Sequence, residues 1–126
     1  MKIVTIIARA LLGLIFVVFG FNGFFHFIHL PPPTNPAAIQ FFTAVGTTGY
    51  MNVVFLLQII GGLLVLLGFF LPLGLTMLCP IVVNIVLFHV CMAPEGLPLA
   101  CFTSLLAIFL IWRYWANFAG LLRHRA

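Results

Sequence analysis

The sequence predicts an all-α membrane protein: a four-transmembrane-helix up-down bundle that forms a single unit over residues 1–126. Hydrophobic residues make up 65% of the chain and charged residues 5%, and Glu95 is the one acidic residue. A water-soluble domain of this size needs more charge than that to cover its surface. Four apolar runs approach the length of about 20 residues that a helix needs to cross a bilayer.

Turn signals divide these runs into spans. Three consecutive prolines after the first run prevent a helix from continuing there. Pro72 and Gly74 predict a tight turn after the second run, and residues 94–98 predict another after the third. Pro80 predicts a kink or a local rearrangement within the third span. The expected spans of this single transmembrane domain are residues 10–28, 51–71, 73–92 and 99–115.

A short amphipathic segment is expected between the first two spans. Asn35 followed by Pro36 is typical of a helix N-cap and a first helical position. Four apolar side chains follow between residues 39 and 45. We therefore expect a short helix that lies at the membrane surface and ends near Gly46 or Gly49.

The basic residues indicate how the chain is oriented. All five flank the first and last spans: Lys2, Arg9, Arg113, Arg123 and Arg125. The loops after the first and third spans contain no Lys or Arg, so the positive-inside rule predicts that both termini are cytoplasmic, in the cell (inner) membrane. A nucleic-acid surface is not indicated, because these charges do not cluster on one polar face.

Small residues in and beside the spans predict close packing. Five glycines are expected to let helices approach: Gly13, Gly20, Gly61, Gly62 and Gly68. The pair at 61 and 62 lies one turn beyond Gln58, where it can admit a neighbouring helix, the favoured alternative, or a ligand. Cys91 and Cys101 flank one connection, and both a disulfide and simple packing stay open because spacing does not decide pairing.

Each span carries polar side chains in one layer of the outer leaflet. Asn22, Gln58 and Asn84, with Thr103 and Ser104, lie roughly 8–12 Å below the outer surface at about 1.5 Å per residue. Because polar groups within a span are costly, the three amides are predicted to face the bundle interior. Two interpretations are open: hydrogen bonds that lock neighbouring helices together, or a small polar-floored pocket that opens outward.

Histidines lie above this layer. His26 and His29 share a helical face with Asn22, and His89 lies near the end of the third span, close to Glu95. The imidazoles of His26 and His89 are expected to approach each other across the mouth of the bundle. A metal or haem is disfavoured, because two histidines and one carboxylate make a thin coordination set. No metal ligand and no catalytic residue are therefore assigned.

Three segments resemble the DoxX family of membrane proteins. Residues 8–23 (ARALLGLIFVVFGFNG) look like the first span of that family, and residues 58–74 (QIIGGLLVLLGFFLPLG) are similar to the second. Residues 80–99 (PIVVNIVLFHVCMAPEGLPL) resemble the third span and its turn in small bacterial members. The resemblance implies a four-helix bundle, and some members are tied to quinone-linked sulfur oxidation or oxidative-stress complexes. The family often carries Glu where Gln58 stands, so this chain lacks that ionisable group.

These observations favour a membrane subunit or binding module without catalytic activity of its own. It would hold an apolar or quinone-like ligand, or a partner protein, near the outer leaflet. Asn22, Gln58 and Asn84 would supply polar contacts, with His26 and His89 at the mouth. Two alternatives stay open: a membrane component of a quinone-linked oxidoreductase, and a small channel or transporter. The expected partners are the lipid bilayer and either another protein or a second copy of the chain.

Overall fold

The computed structural model describes residues 2–28 and 33–119. Within these ranges the chain forms five α-helices and two short 3₁₀ turns, without strands. The helices are α1 (Lys2–Phe25), α2 (Pro36–Thr47), α3 (Tyr50–Leu67), α4 (Leu71–Cys91) and α5 (Leu97–Arg113). Four segments, namely α1, α3, α4 and α5 with its preceding turn, are long and apolar enough to cross a membrane. The predicted all-α architecture of a multi-pass membrane protein is confirmed.

The four long helices surround one apolar core. α1 and α4 each pack against both α3 and α5, which places α1 and α4 at opposite corners of the bundle. Consecutive spans run in opposite directions, so α2 lies where α1 and α4 finish and α3 and α5 begin; we call this the α2 end. The largest fully buried side chains are Leu12, Phe16, Val65, Leu75, Leu78 and Leu110.

The glycine pair of α3 serves two different helix contacts. Gly62 faces α1, where a Cβ on it would lie 3.0 Å from the carbonyl oxygen of Gly13. Gly61 faces α4, where a Cβ would lie 2.9 Å from Leu78 and 3.3 Å from the Gly74 carbonyl oxygen. Both glycines therefore admit a neighbouring helix, as the favoured interpretation of the sequence predicted.

The turn between α3 and α4 comes earlier than predicted. Gly68 adopts a left-handed conformation with a φ of 79° and donates its backbone N–H to the carbonyl of Leu64, which ends α3. Pro72 and Gly74, expected to form the turn, lie instead in the first turns of α4, where proline is tolerated. Gly68 is thus a helix cap, and the part of a neighbouring helix that it admits is the Arg9 side chain of α1.

Arg9 lies inside α1 and not at the edge of a span. The helix begins at Lys2, ahead of the predicted start at residue 10, because the preceding residues are apolar and contain no helix breaker. The Arg9 Nε donates a hydrogen bond of 3.3 Å to the carbonyl of Val65, and its guanidinium packs against Gly68. A cation placed at the carboxyl end of α3 is favoured by the helix dipole.

The amphipathic segment forms as expected. The Oδ1 of Asn35 accepts a 2.8 Å hydrogen bond from the N–H of Ala37, and Pro36 occupies the first helical position. The helix ends at Thr47, and Gly49, with a φ of 76°, redirects the chain into α3. These turn residues place α2 across the end of the bundle.

Candidate functional site

A cavity of about 250 Å³ opens at the α2 end, where α1, α2 and α3 meet. Most of its lining is apolar or aromatic, and two side chains, from His26 and Asn52, bring hydrogen-bonding groups. The lining residues are Gly23, His26, Phe42, Val45, Gly46, Met51, Asn52 and Phe55. This combination of an apolar wall with few polar groups is typical of small-molecule sites.

Close packing of α1 on α3 forms one wall. The ring of Phe55 lies directly over Gly23, where a Cβ would have no room. Phe55 also meets Phe24 edge to face, with ring centroids 5.7 Å apart. The position of the Phe55 ring is therefore fixed by a glycine and an aromatic side chain of α1.

The opposite wall belongs to α2, which aromatic contacts attach to α4. Phe42 lines the cavity and also meets the ring of Phe88, with centroids 5.0 Å apart. Phe41 contacts the same ring at 5.6 Å. The backbone at Gly46 leaves open space, because no atom lies within 4 Å of where a Cβ would be. α2 thus forms one wall of the cavity and leaves space beside Gly46.

Asn22 shapes the site without being free to bind a ligand through its oxygen. Its side chain is 8% exposed, and its Oδ1 accepts a 2.7 Å hydrogen bond from the N–H of Ile28. Its backbone carbonyl accepts a bond from the N–H of His26, which has a φ of 53°. The Asn22 amide therefore holds the chain as it leaves α1, and it positions His26 at the cavity.

Gln58 faces the bundle interior, as predicted, but has no partner for its oxygen. The side chain is 8% exposed, and its buried Oε1 receives no hydrogen bond from any described residue. Gln58 follows Met51 and Phe55 at spacings of seven and three residues, which places it on the cavity's face of α3, one turn deeper. A buried acceptor without a donor is costly, so this position favours a donor group that reaches the core.

Asn84 is exposed, and its predicted interior position is wrong. The buried side chains of α4 include Ile81 and Val82. Asn84 is two residues from Val82 and therefore lies about 200° around the helix from it. Its Nδ2 donates a 2.8 Å hydrogen bond to the carbonyl of Pro80 on the same helix. The prediction rested on depth along the span, which does not specify the side of the helix.

His89 closes a turn and does not line the cavity. Its Nδ1 lies 3.0 Å from the carbonyl oxygen of Ala93, and its ring packs against Gly96 and Phe88. α4 occupies the corner opposite α1, and His89 is not among the residues that line the cavity with His26. The two imidazoles, expected to meet across the mouth, therefore do not share this site. His29, also considered from the sequence, lies outside the described residues.

The predicted layer of interhelical hydrogen bonds is absent among the described residues. The hydroxyls of Thr103 and Ser104 donate to carbonyls of their own helix, at 2.9 and 2.8 Å. The bonds of Asn22 and Asn84 are also local, and Gln58 makes none. The polar layer therefore does not lock the four helices together.

Cysteine and metal chemistry add nothing to the site. Cys79, Cys91 and Cys101 are all free thiols, so the disulfide left open by the sequence is not formed. Across residues 2–28 and 33–119, no group of three or more His, Cys, Asp or Glu side chains could hold a metal ion.

A second cavity, of about 260 Å³ between α1 and α5, is lined by apolar side chains throughout.

Several residues that line the cavity were not predicted from the sequence. Met51 and Phe55 share the face of Gln58 by helical spacing, which was visible in the sequence. Phe42 and Gly46 reach the site through the path of the chain between α1 and α3, which no local pattern reveals.

Comparisons with protein-family models, curated proteins and solved structures find no match for this chain.

Proposed function

We propose that this chain is a membrane-embedded binding module that holds an apolar, quinone-like ligand near the outer leaflet. The observation that carries the proposal is the cavity of about 250 Å³ beneath α2, with His26 and Asn52 among apolar and aromatic walls. The distribution of Lys and Arg supports an outward-facing α2 end and cytoplasmic termini. The DoxX resemblance and the oxidoreductase and channel alternatives stay predictions.

The size of the cavity suits one ring-sized head group. Small-molecule pockets usually measure about 300–1,000 Å³, so a volume of about 250 Å³ accepts part of an amphiphile and leaves its tail outside. A substituted benzoquinone ring can stack against Phe42 or Phe55. Its oxygens can accept hydrogen bonds from the amide of Asn52 and from a ring nitrogen of His26.

The depth of the cavity suits a ligand that arrives from the lipid. The site lies between the end of α1 and the start of α3, at the expected boundary between head groups and hydrocarbon. Gln58, one turn deeper, has an unsatisfied Oε1. A hydroxyl group, as in a reduced quinone, would supply the donor that this oxygen lacks.

The proposal is tested by quinone binding to the protein in lipid nanodiscs. The probe is a benzoquinone with a ten-carbon alkyl chain, and bound quinone is measured by extraction and absorbance against empty nanodiscs. Saturable binding of about one quinone per chain is expected. Uptake that rises linearly and equals that of empty nanodiscs would show that the chain holds no quinone.

A matched pair of variants on α2 locates the binding. Gly46→Leu places a side chain into open space at the cavity wall and is expected to abolish saturable binding. Ala44→Leu changes an exposed residue of α2 that does not line the cavity, and it should retain binding. Equal quinone binding by the two variants would place the ligand elsewhere.

A further inference from the structure

We infer that the exposed face of α4 is the contact surface for a second copy of this chain, with Asn84 at its centre. Asn84 is exposed within a membrane span, seven residues before the end of α4. Polar side chains at such depth almost always face a protein interior, a partner or a water-filled cavity, and the cavity at the α2 end contains no residue of α4.

The face around Asn84 has the spacing of a helix-pairing surface. Its exposed residues follow one another at intervals of three and four: Leu73, Thr76, Pro80, Asn84, Leu87 and Cys91. We call this the α4 seam. Such spacing keeps one stripe of a helix against a partner along its whole length. Asn84 lies at the middle of the seam.

Unsatisfied polar groups distinguish the seam from an ordinary lipid-facing surface. One Nδ2 hydrogen of Asn84 is used by the Pro80 carbonyl, and its Oδ1 receives no hydrogen bond from any described residue. Pro80 also has no N–H to donate to the carbonyl of Thr76, one turn earlier. In hydrocarbon no water satisfies these groups, so a partner that supplies both a donor and an acceptor stabilises them.

A second copy meets these requirements by symmetry. The amide of Asn84 carries both a donor and an acceptor, so two such amides can bond reciprocally. The distribution of Lys and Arg predicts one orientation for every copy, so a two-fold axis along the membrane normal brings the two Asn84 side chains together at one depth. Such an isologous contact needs no second kind of protein. The cavity is formed by α1, α2 and α3, so this pairing is independent of the proposed ligand.

Cys91 provides an internal test of the pairing. It is an exposed free thiol seven residues after Asn84, which places it on the same side of α4, two turns nearer the helix end. Two copies paired through the seam bring their Cys91 thiols close. Oxidation of membranes with copper phenanthroline should therefore give a covalent dimer that Cys91→Ser abolishes. Cys101→Ser, which removes an exposed thiol of α5, should leave that dimer unchanged.

Substitution of Asn84 tests its central role. The dimer fraction is measured by energy transfer between donor- and acceptor-labelled chains in liposomes over a range of lipid dilutions. Asn84→Leu is expected to weaken self-association about tenfold, as loss of reciprocal interhelical hydrogen bonds implies. Asn84→Gln keeps a self-complementary amide and should retain most of the dimer. Asn52→Leu removes an exposed amide from α3 and should not change the dimer fraction.

The results of these experiments distinguish dimerisation through the α4 seam from other contacts. A wild-type chain that stays monomeric at every dilution overturns the inference, and so does a dimer that cross-links through Cys101 and not through Cys91. If Asn84→Leu dimerises as strongly as the wild-type chain, the interface does not lie at the seam. Cross-linking of Cys91 to a different membrane protein would show that this protein, and not a second copy of the chain, contacts the seam. Quinone binding in nanodiscs that hold one chain is expected to continue in Asn84→Leu.

Discussion

Gly13 of α1 and Gly62 of α3 meet backbone to backbone. A Cβ on Gly13 would lie 2.8 Å from the carbonyl oxygen of Gly62, and a Cβ on Gly62 would lie 3.0 Å from that of Gly13. Neither carbonyl can withdraw without moving its helix. This contact sets the separation of the two helices whose ends form the cavity, so packing in the middle of the membrane determines the geometry at the α2 end.

Gly13→Ala should destabilise the bundle. The added methyl would approach the Cβ of Leu66 to 2.7 Å as well as the Gly62 backbone, and overpacking of this kind costs about 1–3 kcal/mol. The measurement is the unfolding free energy in mixed micelles titrated with SDS. Gly46→Ala is the control, because its methyl enters open space and its stability should be equal to or above that of the parent chain. Equal stability of the two variants would argue against the close contact.

Arg9→Met should destabilise the carboxyl end of α3. The substitution keeps an apolar stem but removes the Nε that donates to Val65 and the charge at the helix end. A cation in such a position contributes about 0.3–1 kcal/mol at exposed sites and about 2 kcal/mol when partly buried. The same SDS titration measures the loss. Arg9→Lys retains the charge and should recover part of it, whereas equal losses in both variants would show that the charge contributes little.

In the absence of ligand, the Gln58→Leu protein should be as stable as the parent chain or more stable. The buried Oε1 has no described donor, and an unsatisfied buried group costs about 1–3 kcal/mol. Thr103→Val is the matched comparison, because the Thr103 hydroxyl is bonded to the Leu99 carbonyl and its removal should not stabilise. A marked destabilisation of delipidated Gln58→Leu would mean that Gln58 has a structural partner.

Asn22→Leu should release the segment that follows α1. Its Oδ1 is the acceptor for the N–H of Ile28, so that amide should lose protection in hydrogen exchange followed by mass spectrometry. Loss of a hydrogen bond of this kind costs about 0.5–1.5 kcal/mol. His26 would then be held less firmly, and quinone binding should weaken. Unchanged exchange near residue 28 would contradict the capping role of Asn22.

The sequence predicted the number and order of the spans because bilayer thickness limits what an apolar run can do. It also predicted α2, since Asn35 and Pro36 form a local N-cap that depends on neighbouring residues alone. The turn near Gly68 was misplaced, because Gly68, Pro72 and Gly74 each allow a chain reversal. The left-handed backbone at Gly68 and Phe70 decided between them.

The candidate site was predicted less completely than the fold. Gln58 was placed correctly in the interior, but Asn84 was assigned by depth without its angle around α4. His89 was expected at a shared mouth, whereas its ring packs against Gly96 in the turn that follows. The contribution of α2 depends on the contacts of Phe41 and Phe42 with Phe88, which join residues far apart in the chain.

A quinone-like ligand is proposed to occupy the cavity beneath α2. The most direct test of this proposal is photo-cross-linking with a benzoquinone that carries a diazirine on its ring, followed by peptide mapping of the labelled protein. Adducts are expected to concentrate at the cavity-lining residues Phe42, Met51 and Phe55, and to be lost in Gly46→Leu. Adducts spread evenly over the lipid-facing residues of α4 and α5, unaffected by Gly46→Leu, would contradict it.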